Sequence, residues 1–185
     1  MQFIKEYQHQ SLDFCDQAMD YFREFRSLSV EGVTAGGIDH TRKKSKDLAL
    51  VRKPLLPWME AYEAELFPMF ENYFDCFDIF ESINRLELQN DRYQLQYYEP
   101  GDGFYAWHCE DTGPKTAQRK LSWITYCNDI EEGGGTEFRH QECRIKSKKG
   151  KTIIFPGSFT HTHRGIVAPN NEKLIITGWL CSYSV

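Results

Sequence analysis

Two stretches of this 185-residue chain carry side chains suited to binding and activating a metal ion. YEPGDGFYAWHCE, Tyr98 to Glu110, ends in His108 and Glu110, an i, i+2 pair behind a Gly-rich bend. Residues i and i+2 of a strand point to one face, so this imidazole and carboxylate can grip an ion from a single edge. FPGSFTHTHRG, Phe155 to Gly165, adds His161 and His163 with the same alternation. Two imidazoles and one carboxylate on one side of an ion leave positions free on the other, the facial set of non-haem Fe(II) oxygenases. Glu110 is the acidic ligand on facing grounds. Its neighbour Asp111 points the other way in an unbroken strand and becomes the alternate if a bulge turns it. Open positions on a redox metal call for a co-substrate.

Beyond His163, HRGIVAPNNEKLIITGW places Lys173 at the head of a β-branched run, LIITGWL, that reads as a strand. A His-x-Glu pair, a distal His and a Lys about ten positions later follow one another here. In that order and spacing the chain, from about Tyr93 onward, resembles the Fe(II)- and 2-oxoglutarate-dependent dioxygenases of the prolyl 4-hydroxylase-like group. Several spaced features agreeing in order form a specific signal, whereas a lone His-x-Glu is weak. The family's usual acid is Asp, so Glu110 is a departure. The resemblance implies His108, Glu110 and His163 as catalytic iron ligands. Spacing to Lys173 selects His163, while the distance from Phe155-Pro156 selects His161, which is kept as the alternate ligand or a shaper of the surroundings.

By the same resemblance Lys173 pairs with the distal carboxylate of 2-oxoglutarate, Tyr98 and Thr177 hydrogen-bond to it, and Thr125 or Tyr126 lies close by. The implied cofactors are Fe(2+), 2-oxoglutarate and O2, with ascorbate as reductant. The implied reaction is hydroxylation of an unactivated C–H, with a prolyl residue of a peptide or protein as the favoured substrate. A free amino acid, a nucleobase or a small metabolite is the alternative within that chemistry. Outside it stand a Zn-dependent hydrolase and a non-catalytic metal- or peptide-binding jelly-roll.

Composition narrows the partners. A net charge of −5 supplies no basic field for phosphate backbones, so no nucleic acid is expected. The basic runs RKKSK, from Arg42, and KSKKGK, from Lys146, read as a solvated loop and a hairpin edge. Six cysteines are scattered singly, with no CxxC and no apolar run of about 18 residues, which points to reduced thiols, no membrane and a cytoplasmic location.

The remaining pattern predicts what positions the site. A helix capped by Ser11 runs to about Leu28 on the stripe Leu12, Cys15, Met19, Phe22 and Phe25. Val30 to Lys53 reads as a polar, Gly-rich loop suited to covering the active-site mouth. A second helix starts at Pro54, with Trp58, Tyr62, Leu66, Met69 and Tyr73 on one side and Pro68 expected to kink or split it. From Arg92 the period changes to two: Tyr93, Leu95 and Tyr97 face the core, Gln94, Gln96 and Tyr98 a cavity. Phe104 to Glu110, Arg119 to Asn128 and Lys151 to Phe155 read as further strands, and Gly133 to Gly135 as a wide turn. Trp107 is assigned to core packing, and Arg164 to a substrate carboxylate or an ion pair. Short strands without a βαβ rhythm give a mainly β fold, a double-stranded β-helix (jelly-roll) from about 91 to 185 backed by helical support from about 11 to 83, in one domain spanning 1 to 185.

Overall fold

A computed structural model describes residues 3–51, 56–79, 86–89 and 92–182. Its elements in chain order are β1 (Lys5–Gln8), α1 (Asp13–Glu24), β2 (Val30–Glu31), β3 (Lys46–Val51), α2 (Pro57–Cys76), β4 (Glu87–Leu88), β5 (Arg92–Tyr98), β6 (Arg119–Tyr126), β7 (Thr136–Phe138), β8 (Cys143–Ile145), β9 (Lys151–Pro156), β10 (His163–Gly165) and β11 (Lys173–Cys181). The large sheet runs β1-β9-β6-β11-β5-β3-β2, with β4 pairing to the end of β11; the small sheet runs β10-β7-β8. All pairings are antiparallel, and β11 lies between β5 and β6 with Lys173 opposite Tyr98 and Ile175 opposite Tyr126.

Strand alternation divides the large sheet into two faces. Tyr93, Leu95, Trp123, Leu174 and Ile176 point to one side and are covered by Phe14, Phe22, Tyr62, Leu66 and Tyr73 of the two helices. Tyr98, Ile124, Tyr126, Ile153, Phe155 and Ile175 point to the other, toward Phe138 and Ile145 of the small sheet. The result is a jelly-roll with helices outside, as the sequence pattern predicts, but the sheet is not confined to about 91 to 185: β1, β2 and β3 join it from the N-terminal part of the chain.

Several local expectations are corrected. Val30 to Val51 is not a plain loop: β3 pairs with β5 over six residues, burying Leu48 and Leu50 on the helix side and Asp47 on the cavity side. Lys43, read as solvated, is buried because it meets Asp47 at 2.7 Å. Helix α1 begins at Asp13 without a Ser11 side-chain cap. The amides of Gln10 and Ser11 donate instead to the Glu65 carboxylate of α2 at 2.7 and 3.1 Å. Helix α2 runs unbroken through Pro68. A proline removes one intrahelical bond, and the buried row Tyr62, Leu66, Met69, Phe70 and Tyr73 holds the turns on either side against the sheet. The expected start of this helix at Pro54 lies outside the described residues. Phe104 to Glu110 is not a continuous strand either; it touches its neighbours at single bridges, Phe104 with Lys43 and His108 with His163.

Candidate metal centre

Backbone hydrogen bonds bring the two histidine segments together. The His108 amide donates to the His163 carbonyl at 2.9 Å and the His163 amide to the His108 carbonyl at 2.8 Å. The amides of Glu110 and Asp111 both donate to the Gly157 carbonyl, at 2.8 and 3.2 Å. Position 157 has room only for glycine, since a Cβ would stand 2.6 Å from the Arg119 carbonyl oxygen. One donor atom each from His108, Glu110 and His163 thereby falls within 4.8 Å of the others.

Each of these side chains is oriented by a partner. A carbonyl can only accept, so the His108 Nδ1–H donates to Ala106 O at 3.0 Å and the His163 Nδ1–H to His161 O at 2.9 Å. That leaves Nε2 as the ring nitrogen each histidine can offer to a metal. Phe104 stacks on the His108 ring at 3.5 Å, and Phe155 meets the His163 ring edge-on at 4.8 Å. Glu110 Oε1 lies 3.4 Å from His163 Nε2, while Oε2 accepts the Trp179 indole N–H at 2.7 Å. Arg119 stacks on Trp179 at 3.7 Å and stands 3.6 Å from the same oxygen.

These surroundings set the protonation states. Burial, reinforced by the charge of His163, lowers His108 to about 3. Burial alone raises Glu110, but its hydrogen bond to His163 and the charges of His163, His108 and Arg119 outweigh that and hold it at about 2. At neutral pH the pair is an uncharged imidazole and a carboxylate, the forms in which these groups bind a metal.

The alternates stay outside the cluster. His161 ends a 3-10 turn (Phe159–His161), which breaks the alternation that would put it on the face of His163. Its ring is buried beside Phe3, at 6.5 Å. Its carbonyl, not its imidazole, serves the site by fixing the His163 tautomer. The Asp111 side chain accepts from Cys109 Sγ at 3.6 Å and joins no donor set.

Tyr98, Tyr126, Lys173 and Thr177 line one cavity of about 660 Å³ with the three clustered residues. Lys173 is buried, donates to the Gly134 carbonyl at 3.0 Å and lies 4.6 Å from the Tyr98 ring centre. Gly133, at φ +76, permits that turn: a Cβ there would collide with the Val167 carbonyl at 1.8 Å. Burial lowers the Lys173 ammonium to about 8, and among the described residues it forms no ion pair. The Tyr98 hydroxyl donates to Gln96 Oε1 at 2.7 Å, and the Tyr126 hydroxyl bonds Thr136 Oγ1 at 2.7 Å. Burial raises both phenols, so both keep their protons. Thr177 reaches the cavity wall, but its proton is committed to the Trp123 carbonyl at 2.6 Å, leaving lone pairs that a carboxylate cannot use. Thr125 is a correction: one residue from Tyr126, it faces the helices and bonds Tyr62 at 2.8 Å and Thr152 at 2.6 Å.

Sequence reasoning missed the two side chains that hold Glu110. Trp179 continues the Lys173, Ile175, Thr177 alternation and was readable from it; Arg119 carries no such signal. Trp107 is not a core residue. It lines the cavity half-buried, with the Arg164 guanidinium 4.5 Å from its ring centre. Arg164 in turn pairs with Glu137 at 2.7 Å.

A facial set of two imidazoles and one carboxylate, with a buried ammonium that meets no anion among the described residues, fits a metal ion chelated by a small diacid. The comparisons agree. The sequence profile of the 2OG-Fe(II) oxygenase superfamily matches residues 93–181. A PKHD-type hydroxylase of Synechococcus sp. (strain CC9902) is 30% identical over 89 residues, 46% of this chain and 39% of that protein. Prolyl 4-hydroxylase 13 of Arabidopsis thaliana is 28% identical over 126 residues, 56% of this chain and 43% of that one. The chain thus spans about two-fifths of the length of these relatives. The fold matches a Pseudomonas putida prolyl-4-hydroxylase with TM-score 0.73 at 14% identity, covering 100% of this chain and 95% of the other. It also matches the viral collagen prolyl hydroxylase of Paramecium Bursaria Chlorella virus-1 with TM-score 0.69 at 17% identity, covering 98% and 97%. The resemblance to the 2OG-Fe(II) oxygenase superfamily thus rests on residues 93–181, which hold the whole cluster and Lys173. Prolyl 4-hydroxylases are among the proteins the chain resembles, both in sequence and in fold.

Proposed function

We propose that this protein is an Fe(II)- and 2-oxoglutarate-dependent dioxygenase that hydroxylates a C–H bond of a prolyl residue in a peptide or protein. The observation that carries the reading is the meeting, in one cavity, of His108, Glu110 and His163 with the buried ammonium of Lys173, which pairs with no anion among the described residues. When bound, the metal with 2-oxoglutarate and O2 supplies the oxidising chemistry, placing one oxygen atom in the substrate and the other in succinate as carbon dioxide leaves. Everything else is the work of the chain. His108 and His163 offer Nε2 because their Nδ1 protons are engaged by carbonyls. Trp179 and Arg119 hold Glu110 Oε2, so that Oε1 is the oxygen turned toward the histidines. Lys173 neutralises the far carboxylate of the diacid, and the Tyr98 and Tyr126 hydroxyls turn from Gln96 and Thr136 to donate to it. Phe104, stacked on the His108 ring, and Phe155, edge-on to that of His163, hold the two imidazoles in orientation.

The prolyl substrate is supported by the relatives, which include a prolyl hydroxylase of Trichoplax adhaerens solved with a hypoxia inducible factor peptide fragment. Ascorbate serves as the reductant. Six cysteines free of disulfides support a cytoplasmic location, and no described helix is long and apolar enough to cross a membrane. Both helices pack on the sheet that carries the site, which supports one domain over 1–185. Incubation with Fe(II), 2-oxoglutarate, ascorbate and a panel of proline-containing peptides tests the reading by mass spectrometry. A gain of one oxygen on proline, matched by succinate, is expected. Oxygen gain only on free amino acids, nucleobases or metabolites would overturn the substrate, and metal-dependent hydrolysis without oxygen would overturn the reaction class.

A further inference from the structure

The cleft above the metal centre is unevenly charged. Its walls carry the cations Arg42, Lys43, Arg92, Arg119 and Lys173, against the acids Asp47 and Glu110, in a chain whose net charge is −5. A divalent metal with a dianionic co-substrate leaves that excess unchanged. The inner cations are occupied: Lys43 pairs with buried Asp47 at 2.7 Å, Arg119 stands by Glu110 at 3.6 Å, and Lys173 awaits the diacid. Arg42 and Arg92 differ. Both are exposed, and neither forms an ion pair among the described residues. Asp39 feels the Arg42 charge, yet its carboxylate bonds the Thr41 hydroxyl at 2.6 Å instead. Unpaired guanidinium groups on the wall of a cleft with a low-dielectric interior focus a positive potential at its opening. Beside them the cleft is lined by Val33, 57% exposed, and by Ala35. An apolar lip with two cations that form no ion pair among the described residues suits an acidic peptide, whereas the net negative charge of the chain repels a polyphosphate.

We propose that the substrate segment is acidic, carrying carboxylate side chains near the hydroxylated residue that Arg42 and Arg92 engage at the cleft. This deepens the peptide-hydroxylase reading and rests on it. Guanidinium forks grip carboxylates in pairs of hydrogen bonds, so the device selects among proline-containing sequences without touching the reacting centre. Its energy is rim electrostatics, strong in steering and sensitive to salt.

The test measures binding and turnover separately. Fluorescent peptides of equal length, one proline flanked by Asp, Gln or Lys, are titrated into protein loaded with Mn(II) and N-oxalylglycine, an unreactive diacid. The Asp peptide is expected to bind about tenfold tighter than the Gln peptide, with the gap closing as salt rises from roughly 50 to 500 mM. In the Arg42→Gln, Arg92→Gln double variant the Asp-to-Gln ratio falls to about one, and in the Arg42→Glu, Arg92→Glu variant the preference passes to the Lys peptide. Equal binding of the three peptides by the wild type, an Asp preference that survives both variants, or tighter binding of a single-stranded oligonucleotide overturns the proposal. The parallel turnover assay with Fe(II) and 2-oxoglutarate judges the other reading: peptides hydroxylated without regard to charge sink the acidic substrate alone, whereas charge-selective binding without succinate formation sinks the oxygenase.

Discussion

The two faces of the large sheet are made by the same strands and do opposite work. Toward the helices, β5, β6 and β11 send Tyr93, Leu95, Trp123, Leu174 and Ile176. Polar side chains on that side are linked into one chain: Trp123 Nε1–H donates to the Tyr62 hydroxyl at 3.0 Å, which bonds Thr125, which bonds Thr152, which meets His9 at 3.0 Å. Toward the cavity the same strands send Gln96, Tyr98, Tyr126, Lys173 and Thr177. They are buried as well, yet they include an ammonium with no anion among the described residues and hydroxyls bonded to partners they can leave. The difference teaches that one face is built mainly to pack and the other to be completed by a ligand. A slip of one residue in any of the three strands would exchange them.

Substitutions on the two faces should therefore separate stability from binding. Trp123→Ala opens a cavity in the helix-backed core and removes a bond to Tyr62; a loss of about 3–5 kcal/mol of stability is expected in denaturant melts. A loss below about 1 kcal/mol would show that this face is not the structural one. Lys173→Met should act in the opposite sense. Removing a buried charge relieves its desolvation cost, so the ligand-free protein is expected to unfold no earlier than the wild type, while 2-oxoglutarate binds roughly 100-fold more weakly. Early unfolding of that variant would erase the contrast. Trp179→Phe keeps the ring under Arg119 but drops the bond to Glu110 Oε2, and metal affinity measured with Mn(II) should fall about tenfold.

The smallest of the four effects is a pH dependence. With its folded value depressed from 10.5 to about 8, Lys173 is an ammonium below pH 8 and an amine above it. Affinity for 2-oxoglutarate should be flat below pH 8 and decline above. In the absence of the diacid, the unfolded chain holds the extra proton between about 8 and 10.5, so stability should rise with pH across that window. An affinity that keeps rising through pH 9 would contradict Lys173 as the anion partner.

Much of this was legible because period two survives in β5 and β11: Gln94, Gln96 and Tyr98 alternate with Tyr93, Leu95 and Tyr97, and Lys173 to Trp179 alternate as cleanly. Alternation also explains the failure at Thr125 and Tyr126, where the residue types are polar on both faces and carry no phase. Strand β3 was hidden because Gly36, Gly37 and the Lys-rich run before it imitate a loop, and the buried Lys43–Asp47 pair that anchors it can be seen only in three dimensions. Likewise the pattern of Phe104 to Glu110 suggested a strand. Its amides are in fact shared out among separate carbonyls, those of Arg42, His163 and Gly157, and these long-range bonds leave no trace in local sequence.

The central claim, that two distant segments make one metal site with a diacid anchor beside it, is tested most directly by anaerobic calorimetry of Fe(II) and then 2-oxoglutarate binding. One equivalent of each is expected for the wild type. His108→Ala and His163→Ala should lose both, and Lys173→Ala should keep the metal and lose the diacid. Metal uptake undiminished in both histidine variants, or 2-oxoglutarate binding unchanged in Lys173→Ala, would contradict it.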